Sequence, residues 1–418
     1  MIHNAATRTG TGKTVIAGLR ARICQILLMT LAIFGYGAHA VHAQDTAAVT
    51  AVDSPFKALT VFTSASVASD SNVFRGPLAQ SDTITTGRLG LRWDQPWAQQ
   101  HIHLEATKTF NRYDKFKNLD FDGFNYNGVW NWRLGTRLSG KLSGSRSEDL
   151  TPFDSTLSNQ RNKRITENQA LDVDAIVSGG WHLLLGTSKS NQRSEQNALL
   201  NRTPDFDAIN GNIGVKYETR AGNTVGANWT KTDGEYINNS IAALNTSYIE
   251  NLGELTLDWK LTGSSSINGR LGWLNRDNES PFRGDFSGPS GSVNYAWVSG
   301  GKLGVTIGAV YRTSPLQTLT ADYVEQSTIT VTPTWQLSQK SSAYIAAIYQ
   351  NSRDKGSNAI PTLVQRRDTD ESVSVGLRWS ATRTLSVDAS VQYLQRNSNY
   401  RVFEYDATVA RMNAALAF

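Results

Sequence analysis

Cysteine is nearly absent from this 418-residue chain: the one copy is Cys24. The chain beyond it therefore has no disulfide framework, zinc–thiolate site or thiol nucleophile of its own. A cysteine-free body suits the oxidising periplasm. Histidine is scarce too, with six in all and only His101, His103 and His182 beyond residue 43. Past that point no run of 18 apolar residues occurs, which excludes membrane-spanning helices. No long stretch has helical periodicity. A dominant charge sign is also missing. The chain has 41 Lys and Arg against 36 Asp and Glu, but Arg8, Lys13, Arg20 and Arg22 fall within the first 43 residues, where no acid occurs; the rest carries 37 against 36. Nothing in that balance points to nucleic acid.

The first 43 residues have the layout of a secretory signal peptide. The basic residues lead into an apolar stretch, Ile23 to Ala38, and two small-x-small sites follow, Ala38-His39-Ala40 and Val41-His42-Ala43. Cleavage is placed after Ala43. A membrane anchor is the weaker reading, because a spanning helix needs roughly 20 apolar residues. Ala21-Arg22-Ile23 before Cys24 is not a lipobox. The expected organisation is a signal peptide over 1–43, a short periplasmic segment over 44–55 and one domain over 56–418.

What that domain has is repetition. An aromatic near a strand end, followed by a short turn, recurs at Trp93, Trp132, Tyr217, Trp259, Trp297, Trp335, Trp379 and the terminal Phe418. From Tyr217 the spacings are 42, 38, 38, 44 and 39 residues, and Val177 stands where one aromatic is missing. Each unit holds two strands of alternating polarity. Val373, Val375, Leu377 and Trp379 share one face, while Ser372, Ser374, Gly376 and Arg378 share the other. Period two puts each set on one side of a sheet.

A soluble sandwich would alternate in the same way. Three features favour lipid instead. Short turns alternate strictly with loops of about ten residues or more, as in outer-membrane barrels. Aromatics collect beside the short turns, where a membrane interface suits them. The chain also ends on a strand with Met412, Ala414, Leu416 and Phe418 on one face, a pattern that resembles the signal read by the barrel assembly machinery. A β-propeller repeats every 40 to 45 residues or so, but it needs four strands per repeat, and only two long ones are visible. The expected fold is an all-β, transmembrane, antiparallel up-and-down barrel of about eighteen strands (16–20) in the outer membrane of a Gram-negative bacterium. Strands thirteen and fourteen are placed at about 302–313 and 325–337.

The inward face is polar and of mixed sign. Its expected members include Arg88, Arg92, Lys141, Asp172, Asp174, Asp258, Lys260, Arg270, Arg378, Asp388 and Arg411. Arg88, Arg92 and Arg378 are all expected near the periplasmic end. An eighteen-stranded barrel is wide enough for an aqueous channel. Most of these charges individually need do no more than solvate the wall and pair with each other. His101, His103 and Glu105 share a strand face, but two imidazoles from one strand supply at most two metal ligands. No G-x-S-x-G elbow or phosphate loop occurs. No catalytic, cofactor or metal site is expected, and the chain does not read as an enzyme.

Several short elements carry a family resemblance. They are Ser69-Asp70-Ser71-Asn72-Val73-Phe74-Arg75, Ser81-Asp82-Thr83, Leu119-Asp120-Phe121, Trp130-Asn131-Trp132-Arg133-Leu134-Gly135, Gln160-Arg161-Asn162 and Gly234-Glu235-Tyr236. From about residue 56 onward the series resembles the EpsL-type outer-membrane proteins of exopolysaccharide loci, found with exosortase B and PEP-CTERM sorting systems. The D-x-N-x-F-R element is the most specific of them. The resemblance implies a role in extracellular polysaccharide biosynthesis or export, with the barrel as the conduit. The partners it implies are outer-membrane lipid, the assembly machinery, a polysaccharide substrate and periplasmic export components. The alternatives are a general or nutrient-uptake porin, which a loop folded into the lumen would favour, and a structural, receptor or enzymatic barrel.

Overall fold

The computed structural model describes residues 58–156, 158–196, 204–239, 241, 244–280, 282–318, 320–356 and 364–418. The expected signal peptide and periplasmic segment lie outside the described residues. Eighteen strands run up and down: β1 (Leu59–Asp70), β2 (Asp82–Trp97), β3 (Gln100–Tyr113), β4 (Phe121–Leu134), β5 (Leu138–Leu150), β6 (Lys163–Ser178), β7 (Trp181–Ser194), β8 (Asp205–Glu218), β9 (Thr224–Ile237), β10 (Ser247–Thr262), β11 (Ser265–Asn278), β12 (Phe286–Ser299), β13 (Leu303–Thr318), β14 (Ala321–Gln336), β15 (Ser341–Lys355), β16 (Arg367–Ser380), β17 (Leu385–Ser398) and β18 (Tyr405–Ala417). Each pairs with its sequence neighbours, and β1 also pairs with β18, so the sheet is a closed antiparallel barrel. Among the described residues no helix is long and apolar enough to cross a membrane; the chain crosses with strands.

The register fixes which residues face lipid. Leu59 lies opposite Trp93 and Val61 opposite Leu91, and all four are exposed on the outer wall. On the opposite face of the same strand Phe62 and Ser64 point inward and are buried. The same alternation runs round the barrel, with Val375 opposite Ile345 and Val391, outward, and Ser374 opposite Ala346 and Gln392, inward. Nearly every backbone group inside a ladder finds its partner on the next strand, the condition for crossing hydrocarbon.

The short turns are as tight as the sequence suggests. Residues 179–180 join β6 to β7, and both are glycines at positive φ, 54° and 89°. A two-residue hairpin of the I′ type requires that backbone. The expectation for the other end fails between β13 and β14. There the ladder runs on to Thr318 and resumes at Ala321, with only residues 319–320 between. The stretch reads as a loop because it loses its outward apolar alternation. It stays in strand form because its tip packs on protein: Leu316, Gln317, Ala321 and Asp322 are buried. Arg283, from the β11–β12 connection, donates to the carbonyls of Thr318 at 2.6 Å, Ala321 at 3.1 Å and Leu316. It also pairs with Asp322 at 3.3 Å.

The C-terminal residue completes the seam: Phe418 N–H donates to the Val61 carbonyl at 2.9 Å, and the Val61 N–H donates back at 3.2 Å. Replacing Phe418 by Asp should therefore lower the yield of heat-modifiable barrel on a gel; a normal folded yield would contradict this role. Facing can be tested at one point of β16. Val375→Arg should destabilise the barrel by about 2–4 kcal/mol, the cost of a lipid-facing charge near the midplane. Ser374→Arg, facing water, should be far milder in the same urea titration, and equal effects would refute the register.

Candidate functional site

The strand register turns all eleven expected wall residues toward the lumen, where most are held by neighbours. Arg92 pairs with Glu105 at 2.8 Å and lies 5.3 Å from the Phe62 ring centre. Arg378 lies 3.5 Å from Asp388 and 4.7 Å from the Tyr344 ring centre. The two sites share a construction. Phe62 lies over Gly90, and Tyr344 over Gly376, so closely that a Cβ on either glycine would overlap the ring. Each glycine opens a Gly-Leu-Arg-Trp sequence (90–93 and 376–379) whose arginine stands over that ring. Lys141 pairs with Asp172 at 3.4 Å. Asp174 accepts from His182 at 2.5 Å and Lys216 at 2.7 Å. Asp258 accepts from Thr224 at 3.3 Å and from Asn268. Lys260 follows on the same face of β10, Arg270 sits opposite Thr256 and Ser292, and Arg411 opposite Ala68 and Ser390.

The expected periplasmic cluster of Arg88, Arg92 and Arg378 does not form. β2 continues past Trp93 to Trp97, which lifts Arg88 away from the periplasmic end. Its charge acts instead with Asp149 on β5, which also faces Arg164. His101 and His103 do share the inner face of β3, but each gives a ring nitrogen to Asp94, at 2.6 and 2.8 Å. Among the described residues no group of three or more His, Cys, Asp or Glu is arranged to hold a metal.

The feature that sequence reasoning misses is the packing of several extracellular connections against one another at the mouth. The β1–β2 connection turns inward at Arg75, which pairs with Asp70 at 2.7 Å, both side chains being buried. Asn72 donates to the Asp406 and Gly76 carbonyls. Phe74 is thereby delivered between Phe116 of the β3–β4 connection (ring centres 4.8 Å) and Phe153 of the β5–β6 connection (5.1 Å). Val73, Phe74, Tyr113, Leu119, Phe121 and Leu150 form one buried apolar cluster there. The β5–β6 connection then reaches across. Asp154, in its one-turn helix Phe153–Thr156, meets Arg396 of β17 at 3.0 Å. Arg396 is held in turn by Asp370 of β16 at 2.6 Å. β5 and β17 lie six strands apart round the sheet, so this contact reaches over part of the opening. Arg366 of the β15–β16 connection pairs with Asp368 at 2.6 Å and stacks on Phe403 of the β17–β18 connection. The only sequence signal for any of this is the D-x-N-x-F-R element, which marks Phe74 without saying what it touches.

Residues 253–418 match a family model described as "Putative beta-barrel porin 2". No curated protein matches the sequence. Similar solved structures include three Pseudomonas aeruginosa proteins. One is OccK2 (OpdF) in complex with glucuronate, at 10% identity and TM-score 0.48, covering 86% of this chain and 96% of that one. Another is OpdL, at 10% and 0.47, covering 86% and 98%. The third is the siderophore receptor PirA, at 12% and 0.41, covering 86% and 80%. With its lipid-facing apolar wall, aromatic interface and closed eighteen-strand sheet, this chain is a porin-like β-barrel of the Gram-negative outer membrane.

Proposed function

We propose that the barrel is an outer-membrane porin for small hydrophilic solutes. The observation that carries this reading is the β5–β6 connection, held over part of the mouth by the Asp154–Arg396 contact. A loop anchored six strands further round the wall narrows the path to what fits beside it. Below it, the wall offers charges of both signs, many of them paired, among Ser, Thr and Asn side chains. Such a surface exchanges hydrogen bonds with a passing solute without binding it tightly, as conduction requires. A broad polymer would need the mouth cluster of Phe74, Phe116 and Phe153 taken apart. The export-conduit reading keeps only the resemblance of its short elements to EpsL-type proteins.

Two experiments bear on this proposal. In planar bilayers, Asp154→Lys should set two cations against each other and release the loop, giving larger or noisier single-channel conductance than wild type. Unchanged conductance would mean that the loop does not constrict the path. In cells, deleting the protein should slow uptake of small hydrophilic solutes and leave surface polysaccharide intact. Loss of the polysaccharide with normal uptake would return the assignment to glycan export.

A further inference from the structure

The outer wall is not the same all the way round. The ninth residue of β11, β13, β15 and β17 is Trp273, Tyr311, Tyr349 and Tyr393, all exposed outward. This is an aromatic band on the extracellular side of the apolar belt. At the same position β3, β5 and β7 carry Lys108, Arg146 and Lys189, and β9 carries Lys231 one residue earlier. The register confirms that these face outward: Lys108 lies between Leu89 and Phe124, and Lys189 between Gln169 and Ile209. On β3, β5, β7 and β9 this level is thus cationic where on β11, β13, β15 and β17 it is aromatic, with Phe124 and Tyr126 of β4 standing beside the cations.

Arg146 is matched by Glu148 at 2.5 Å and Glu167 at 2.7 Å. Among the described residues no ion pair involves Lys108, Lys189 or Lys231, although Asp233 follows Lys231 on the same face of β9. Below Lys108 and Arg146 the wall is notched. Gly128 and Gly144, opposite each other on β4 and β5, help floor an apolar groove of about 440 Å³ flanked by Leu91, Trp93, Leu104 and Tyr126. The groove lies on the lipid side, on the same strands that begin the lysine row.

We propose that the β3–β9 face binds a phosphorylated, acylated lipid of the outer leaflet, with its phosphate at the lysine row and an acyl chain in the groove. Charge complementarity decides the occupant. Ammonium groups facing hydrocarbon are costly, so these lysines sit at headgroup level, where phosphates are the available anions. The groove continues from that level into the belt, as a tail attached to such a headgroup would. The proposal does not depend on what passes through the lumen.

The test uses the full chain purified in a neutral detergent, with lipid A and fully dephosphorylated lipid A as probes and bound lipid read by native mass spectrometry. Wild type should retain lipid A in clear preference to the dephosphorylated form. A Lys108→Gln, Lys189→Gln, Lys231→Gln variant, still heat-modifiable, should retain on the order of a hundredfold less, since each such lysine contributes about fivefold. Gly144→Leu, which fills the groove, should also lower retention. Equal retention of lipid A by wild type and the triple variant, or of both probes by wild type, would overturn the proposal. If the triple variant does not fold, salt decides on the wild type: release of lipid A as NaCl rises supports a phosphate contact, and retention insensitive to salt refutes it.

Discussion

The pairing of β1 with β18 is the interaction on which the rest depends. In hydrocarbon an unpaired strand edge leaves backbone N–H and C=O groups with no partner, each costing several kcal/mol. The first and last strands must therefore find each other across the whole length of the chain. They do so from Phe62 opposite Ala417 to Asp70 opposite Val409. The residues along the seam fit this demand. Ala415 and Ala417 are small and buried on the inner side, leaving room for Phe62, while Met412, Leu416 and Phe418 meet lipid. Once eighteen strands are closed, the interior is too wide for side chains to fill, and the lumen must hold water, loops or both.

Here connections pack at its extracellular end. The wall below them is polar, and many of its charges meet an opposite charge on a neighbouring strand. The mouth is dry and packed, with phenyl rings from three connections in contact and arginines buried against acids. Such pairs are weak evidence for stability, since desolvating both charges offsets most of their attraction, but breaking one leaves an uncompensated charge at about 3–5 kcal/mol. The Asp70–Arg75 and Asp154–Arg396 contacts therefore fix where the loops go more than they strengthen the barrel. Outside, the apolar belt is notched at the β3–β5 groove, and above it the extracellular band carries lysines on β3, β7 and β9 where β11, β13, β15 and β17 carry aromatics.

Much of this was legible in the sequence, and the reason is locality. In an up-and-down barrel each strand pairs with its neighbours in the chain, so strand count, faces and turn positions all follow from period-two alternation and turn residues. Val373 to Trp379 show their outward face without any knowledge of what they pair with. The inner side of a hairpin is also readable. The two-residue link 98–99 sets Asp94 opposite His103, so their contact could have been read from register. The mouth was not legible. Asp154 and Arg396 meet only because two distant loops share one opening, and no periodicity connects them. The β13–β14 tip fails for the same reason: its strand form depends on Arg283, which belongs to another hairpin.

The most direct test of closure is a disulfide across the seam. Ser66 and Asn413 are directly opposite on β1 and β18, within the range of Cα separations that a disulfide bridges. With Cys24→Ser to remove the natural thiol, a Ser66→Cys, Asn413→Cys variant folded in membranes and oxidised should form an intramolecular bond. After heating, it should migrate faster on a non-reducing gel than on a reducing one. Free thiols in the folded protein, or links formed only between molecules, would contradict a barrel closed through its first and last strands.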